Sequence, residues 1–288
     1  MPSAFRLFLL TSLAMAAFAA NSVLGRVGMV ETEIGAGSFA MIRLASGALM
    51  LALLCLIQSR RLSGSWAGGL SLLTYAVFFS YAYLALPAGT GAIILFAVVQ
   101  ITMLGWGLIH GEQLSALQWS GFALALAALI WLVSPSVESP PLFAAAAMAL
   151  AGMGWGAYSL LGRSAGDPTA STTGNFVRAS LLAAPILAVV LSFAPEPVPP
   201  LKGVLLAVSS GALTSGLGYA IWYKALKGLS ATRAGIAQLS VPALAALGGV
   251  LFLAEPVTLR FTLASTAILA GVALAVLTTS PRSSKARG

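Results

Sequence analysis

Ten apolar stretches, each about 20 residues long and set off by short charged or proline-bearing breaks, govern what this chain can fold into. They cover residues 5–24, 35–57, 66–86, 88–109, 115–133, 142–161, 171–193, 203–226, 231–253 and 257–278. A helix rises about 1.5 Å per residue, so each stretch matches the roughly 30 Å hydrocarbon core of a bilayer. Only 8% of the residues are charged and 59% are hydrophobic. A soluble domain carries roughly 25% charged residues, and a disordered chain is poor in apolar ones, so both classes are excluded. With one cysteine, Cys55, and one histidine, His110, the chain has neither an intramolecular disulfide nor a cysteine/histidine metal site. No cofactor is expected. The first stretch has the outline of a signal peptide, with Arg6 ahead of an apolar run and Ala17-Phe18-Ala19 as a small-residue cleavage site. The repeat described below gives that stretch a counterpart in mid-chain, so its retention is expected.

Basic residues set the orientation. With the N-terminus in the cytoplasm, Arg6, Arg60, Arg61, Arg163, Lys224, Lys227, Arg233, Arg282, Lys285 and Arg287 fall on the inner side. Only Arg26, Lys202 and Arg260 fall outside. The positive-inside rule then puts both termini in the cytoplasm. A net charge of +8 follows from topology and calls for no nucleic acid. The basic tail, residues 281–288, suits anionic lipid head groups.

The chain also resembles itself. GEQLSALQWSGFALALAALIWL from Gly111 aligns with AEPVTLRFTLASTAILAGVALAVL from Ala254, pairing Glu112 with Glu255. FAANSVLGR from Phe18 matches WGAYSLLGR from Trp155, and Arg43 pairs with Arg178. The predicted organisation is a first five-helix repeat over residues 1–136 and a second over 137–288. A unit of five crossings ends opposite to where it began, so its copy enters the membrane upside down. The fold expected is an all-α integral membrane protein of ten transmembrane helices in two inverted repeats. Inverted repeats characterise secondary transporters, whose substrate sites lie near the midplane between the halves.

Each half carries an alanine-rich hairpin, a long apolar span, a Gly/Ala-Glu pair and a closing apolar span: ALPAGTGAIILFAVVQITMLGWGLIHGEQLS and GLSATRAGIAQLSVPALAALGGVLFLAEPVT. With an arginine in each second span and Trp155-Gly156 in the sixth, the whole chain resembles the drug/metabolite transporter superfamily, in its EamA-type ten-helix branch. It departs from the pattern at Val99, where the second copy has Pro242. Within the branch the chain is most similar to aromatic amino-acid exporters. The resemblance implies export of amino acids or related metabolites; another small metabolite or a lipophilic drug is the alternative cargo.

Polar and aromatic residues near span centres have no use facing lipid and are pathway candidates. These are Tyr75, Phe78, Phe79 and Tyr83 in the third span and Tyr219, Trp222 and Tyr223 in the eighth. Phe18 with Asn21 in the first span is matched by Trp155 with Tyr158 in the sixth, and Gln100, Gln238 and Ser240 complete the set. Such a cavity suits a zwitterion with a planar side chain, through stacking and cation–π contact. Each aromatic taken singly fits packing or an interfacial belt as well, and Trp66, Trp119 and Trp131 read as belt residues. Pro242 and Pro185 are expected as gating or kink positions. Arg43 and Arg178 read as structural charges bound to helix-end carbonyls, Glu112 and Glu255 as caps of the helices that follow them. Gly152, Gly154 and Gly156 suit close helix contact. No acidic residue lies in the middle of a span, so transport with weak or no proton coupling is expected. No residue set supports catalysis, and an enzyme or a non-transporting scaffold is the remote alternative. The expected partners are a small-molecule substrate and the lipid bilayer, in a plasma membrane of bacterial inner-membrane type, with a monomer plausible.

Overall fold

The apolar stretches become helices whose ends are fixed by caps. The computed structural model describes residues 4–111, 114–136, 139–162, 166–229 and 237–277. Its helices are α1 (Ala4–Glu31), α2 (Ala36–Ile57), α3 (Trp66–Ala82), α4 (Ala88–Ile109), α5 (Ala116–Val133), α6 (Leu142–Gly162) and α7 (Pro168–Phe193). They continue as α8 (Leu201–Leu226), α9 (Ser240–Leu253) and α10 (Leu259–Leu277). No strand occurs among the described residues. Seven of these helices are long and apolar enough to cross a membrane, namely α1, α2 and α4 to α8. α3 has 17 residues, fewer than its predicted stretch; α9 has 14, and residues 231–236 of its predicted stretch lie outside the described residues.

The caps are of the kinds the sequence offers. Ser115 and Gln118 form a reciprocal capping box at α5. The Asp167 carboxylate accepts from the amides of Thr169 and Ala170 ahead of Pro168, at the start of α7. α3 stops ahead of Pro87, which has no amide to give the Tyr83 carbonyl, and Arg26 of α1 donates to the freed carbonyls of Tyr83 and Leu84 at 2.9 and 3.1 Å. α8 is interrupted: nine residues, Ser209–Leu217, are π-helical between two α-helical segments.

Cross-links at the helix ends establish an alternating up-and-down course. At one end Arg26 meets Glu255 of the α9–α10 connection, Lys202 meets Glu31, and Glu196 accepts from the amides of Gly37 and Ser38 at the start of α2. Arg260 reaches the carbonyls of Trp131 and Ser134 and the hydroxyl of Ser136 in the α5–α6 connection. At the other end Arg60 pairs with Asp167, and the Ser63 amide donates to the Ala170 carbonyl.

The main packing pairs are α5 with α10, α3 with α6, α4 with α6, α1 with α8, α1 with α9, α2 with α7, α2 with α8, α3 with α7 and α4 with α9. Replacing each helix by the one five places along turns this set into itself: α3–α6 becomes α8–α1, α4–α6 becomes α9–α1, and α2–α8 becomes α7–α3. Small residues make the crossings close. A Cβ on Gly154 would stand 2.8 Å from the Ser71 carbonyl and the Tyr75 amide of α3, while Gly152 and Gly156 face Val98 and Thr102 of α4.

Candidate substrate site

Near the middle of the bundle, α1, α3, α6 and α8 turn their aromatic side chains toward one another. Phe18 stands at 6.1 Å from Trp155 and 5.8 Å from both Tyr219 and Trp222, in edge-to-face contacts. Trp155 lies 5.1 Å from Tyr75 and 4.8 Å from Tyr219, with Tyr158 stacked on its far face at 5.5 Å. Edge-to-face and tilted geometries are those that the ring quadrupoles favour. Between these rings lies a narrow cavity lined by Phe18, Asn21, Tyr75, Phe79, Trp155 and Tyr219, with Ser22, Leu95 and Phe96 closing it. The free volume there is about 20 Å³, room for roughly one water molecule, so a whole solute enters only when the walls part.

A polar network backs the aromatic wall. Asn21 is its centre: its Nδ2 donates to the Tyr75 hydroxyl at 2.9 Å, and its Oδ1 accepts from Ser210 at 2.7 Å and Thr214 at 3.2 Å. Arg43 Nη2 donates to the same Tyr75 oxygen at 2.7 Å, and Arg43 Nε to Ser215 at 3.4 Å. The π-helical segment therefore supplies three hydroxyls to one site, a placement typical of such segments. A helix this polar belongs inside the bundle rather than against lipid.

Of the sequence candidates, the structure brings together Asn21, Tyr75, Phe79, Trp155, Tyr158, Tyr219 and Trp222. The others lie elsewhere. Phe78 packs half-buried on the outside of the core, turned away from its neighbours Tyr75 and Phe79. Tyr83 is fully buried but sits toward the end of α3, where its hydroxyl donates to the Ala88 carbonyl. Gln100 lines a separate groove between α4, α5 and α10. Tyr223 stands beside Gly162 at the end of α6. Gln238 lies two residues ahead of α9 and Ser240 begins it, where Ser240 is exposed and donates to the Ala237 carbonyl.

Pro242 lies three residues past a turn at Leu239 that separates helical residues 237–238 from α9. Pro185 is inside α7, on an exposed face pointing away from the cavity. Glu255 caps α4, not the helix that follows it: Oε2 accepts from the Ala88 amide at 2.8 Å and Oε1 from Arg26 at 3.0 Å. The start of α10 is served instead by Thr258, which accepts from the Phe261 amide. Glu112 lies outside the described residues. Arg178 donates to the carbonyls of Ser63 and Gly174, as a helix-end anchor does. Arg43 binds no carbonyl; its partners are the phenol and the serine. Ser210, Thr214 and Ser215 are absent from the sequence candidates. The one signal for them was their polarity within the eighth apolar stretch, residues 203–226.

Helices of this length and apolarity define a multi-pass membrane protein. Residues 142–277, which span α6 to α10, match the EamA-like transporter family. The uncharacterized protein PA1977 of Pseudomonas aeruginosa is 49% identical over 272 residues, which cover 93% of this chain and 94% of that one. The chain belongs to the EamA-like transporter family, a group within the drug/metabolite transporter superfamily. Membership makes it a membrane transporter of small solutes, with lipid as its surroundings. A crystal structure 18% identical in sequence superposes with a TM-score of 0.63 over 93% of this chain and 97% of its own, a likeness of fold alone.

Proposed function

We propose that the protein is a secondary transporter that exports amino acids, aromatic ones and other neutral ones, across a bacterial inner membrane. Export proceeds by alternating access between two inverted five-helix halves, with both termini in the cytoplasm and one chain sufficient. The observation that carries this reading is the aromatic box itself: α1 and α3 from the first half meet α6 and α8 from the second around Phe18, Tyr75, Trp155 and Tyr219. Movement between halves would open and close such a box. The exchange symmetry of the helix contacts and a family match that covers five helices support the repeat. Facilitated diffusion fits the acids with described partners, which are engaged at helix ends: Glu255 with Arg26, Glu31 with Lys202, Asp167 with Arg60, Glu196 with α2 amides.

Proteoliposomes loaded with labelled phenylalanine and held without a pH difference test the reading. Downhill flux that is lost on Trp155→Ala is expected, and zero flux across a panel of amino acids would reject it. Accessibility tags in the α5–α6 connection and at the C-terminus test the inversion; they must report opposite sides of the membrane.

A further inference from the structure

Arg43 is a charge with no carboxylate partner among the described residues. It is 1% exposed, and its guanidinium carbon lies 4.5 Å from the Phe79 ring centre and 4.8 Å from that of Tyr75. Its Nη1 is buried with no hydrogen-bond partner among the described residues. A guanidinium keeps its charge at any attainable pH. The described carboxylates lie in the end connections or at the tips of helices, four of them bound there to other groups. Two ring faces offer cation–π attraction but leave the Nη1 proton unbonded, and a buried charge lacking its partner is strongly unfavourable. Packing alone would be better served by a leucine or a methionine.

Two donors already converge where an anionic oxygen would sit. Arg43 Nη2 and Asn21 Nδ2 both point at the Tyr75 hydroxyl oxygen, at 2.7 and 2.9 Å, and the unused Nη1 lies on the same guanidinium fork. Tyr75 is itself a wall of the cavity. Building on the transport reading of this cavity, we propose that Arg43 is the counter-charge for a carboxylate on the transported solute, with the Tyr75 phenol as a placeholder that swings aside. One carboxylate oxygen takes the phenol's place between Nη2 and Asn21, and the other takes Nη1, a two-bond fork of the kind guanidinium groups make with carboxylates. The substrate class is then aromatic or bulky apolar carboxylates, amino acids among them. The carboxylate is required and the ammonium is dispensable.

Three probes on the purified full-length protein separate the groups: L-phenylalanine, 3-phenylpropionate, which lacks the ammonium, and phenethylamine, which lacks the carboxylate. Titration calorimetry should show binding of both carboxylates and at least tenfold weaker binding of the amine. Removing one partner of a buried charged hydrogen bond weakens binding by roughly 30-fold or more. Arg43→Gln is expected to do so for 3-phenylpropionate, and Arg43→Lys to fall between. Phenethylamine binding as tightly as 3-phenylpropionate, or no binding of either carboxylate, overturns the proposal. So does undiminished carboxylate binding by a folded Arg43→Gln protein. The ligand comparison needs no variant and decides even if Arg43→Gln does not fold. Solute flux without carboxylate preference would sink this inference and leave transport standing; carboxylate binding without flux of any solute would do the reverse.

Discussion

Replacing Glu255 by alanine tests how the α9–α10 connection holds α1 and α4 together. Its carboxylate accepts at once from Arg26 of α1 and from the first-turn amide of α4. Ala88 is fully buried, so the variant leaves its amide without a partner, a loss of about 1–3 kcal/mol. The ion pair, with side chains 16% and 12% exposed, adds about 1 kcal/mol, since Arg26 keeps the carbonyls of Tyr83 and Leu84. A change of 1 kcal/mol moves Tm by about 2–4 °C in domains approaching this size, so Glu255→Ala is expected to lower Tm by roughly 5–10 °C. Glu255→Gln keeps one acceptor oxygen and loses the charge, and should fall by about half as much. Cys55, the single thiol, is 1% exposed, and a thiol-reactive fluorogenic dye reports its release as the bundle opens on heating. A Glu255→Ala midpoint within about 1 °C of the parent would refute the reasoning. So would strict additivity with Arg26→Ala, since groups in direct contact should couple.

Two further outcomes are expected. Burial pushes the Asp167 carboxyl up, but the Ala170 amide, the Arg60 guanidinium and the Thr169 amide outweigh it and hold it below the usual carboxylate range. A depressed carboxyl stabilises above its ordinary pKa and loses that contribution as pH falls through the lowered value, so Tm should decline below about pH 4; Asp167→Asn should flatten that decline. Gly154→Leu forces a side chain against the Ser71 carbonyl and the Tyr75 amide and should cost about 1–3 kcal/mol together with most solute flux. Gly105→Ala, whose new Cβ meets nothing within 4 Å, should change neither.

The sequence made the helices legible because their ends are local events. Ser115 with Gln118, Asp167 with Pro168 and Ser65 ahead of α3 are caps that three or four neighbouring residues decide. The aromatic box was legible for a similar reason: Phe18 and Trp155 recur at matched places in the repeat, as Tyr75 and Phe79 recur one turn apart. What escaped depends on contacts between distant elements. Pro87 ends α3 locally, but the partner of its freed Tyr83 carbonyl, Arg26, comes from 57 residues away, and Glu255 reaches α4 across 167; no local pattern encodes either partner. Tyr223 was misplaced because a helical wheel gives the face and not the depth: it shares an α-helical segment with Tyr219 and Trp222 but lies a turn beyond Tyr219, beside Gly162 at the end of α6. Glycines at helix crossings were readable as small, yet which neighbour each admits was not.

The π-helical stretch in α8 amounts to one surplus residue carried inside a rod. If Ser209–Leu217 tightened to ordinary α geometry, the surplus would have to move on, advancing everything beyond it by about 1.5 Å and turning it by about 100°. Tyr219 and Trp222 ride on that far portion, while Ser210 stays with Asn21. Every carbonyl would merely trade one amide for the next, so the backbone would lose no bonds on balance. The aromatic wall is thus mounted on a screw thread, and a single step along it would carry two rings out of the box.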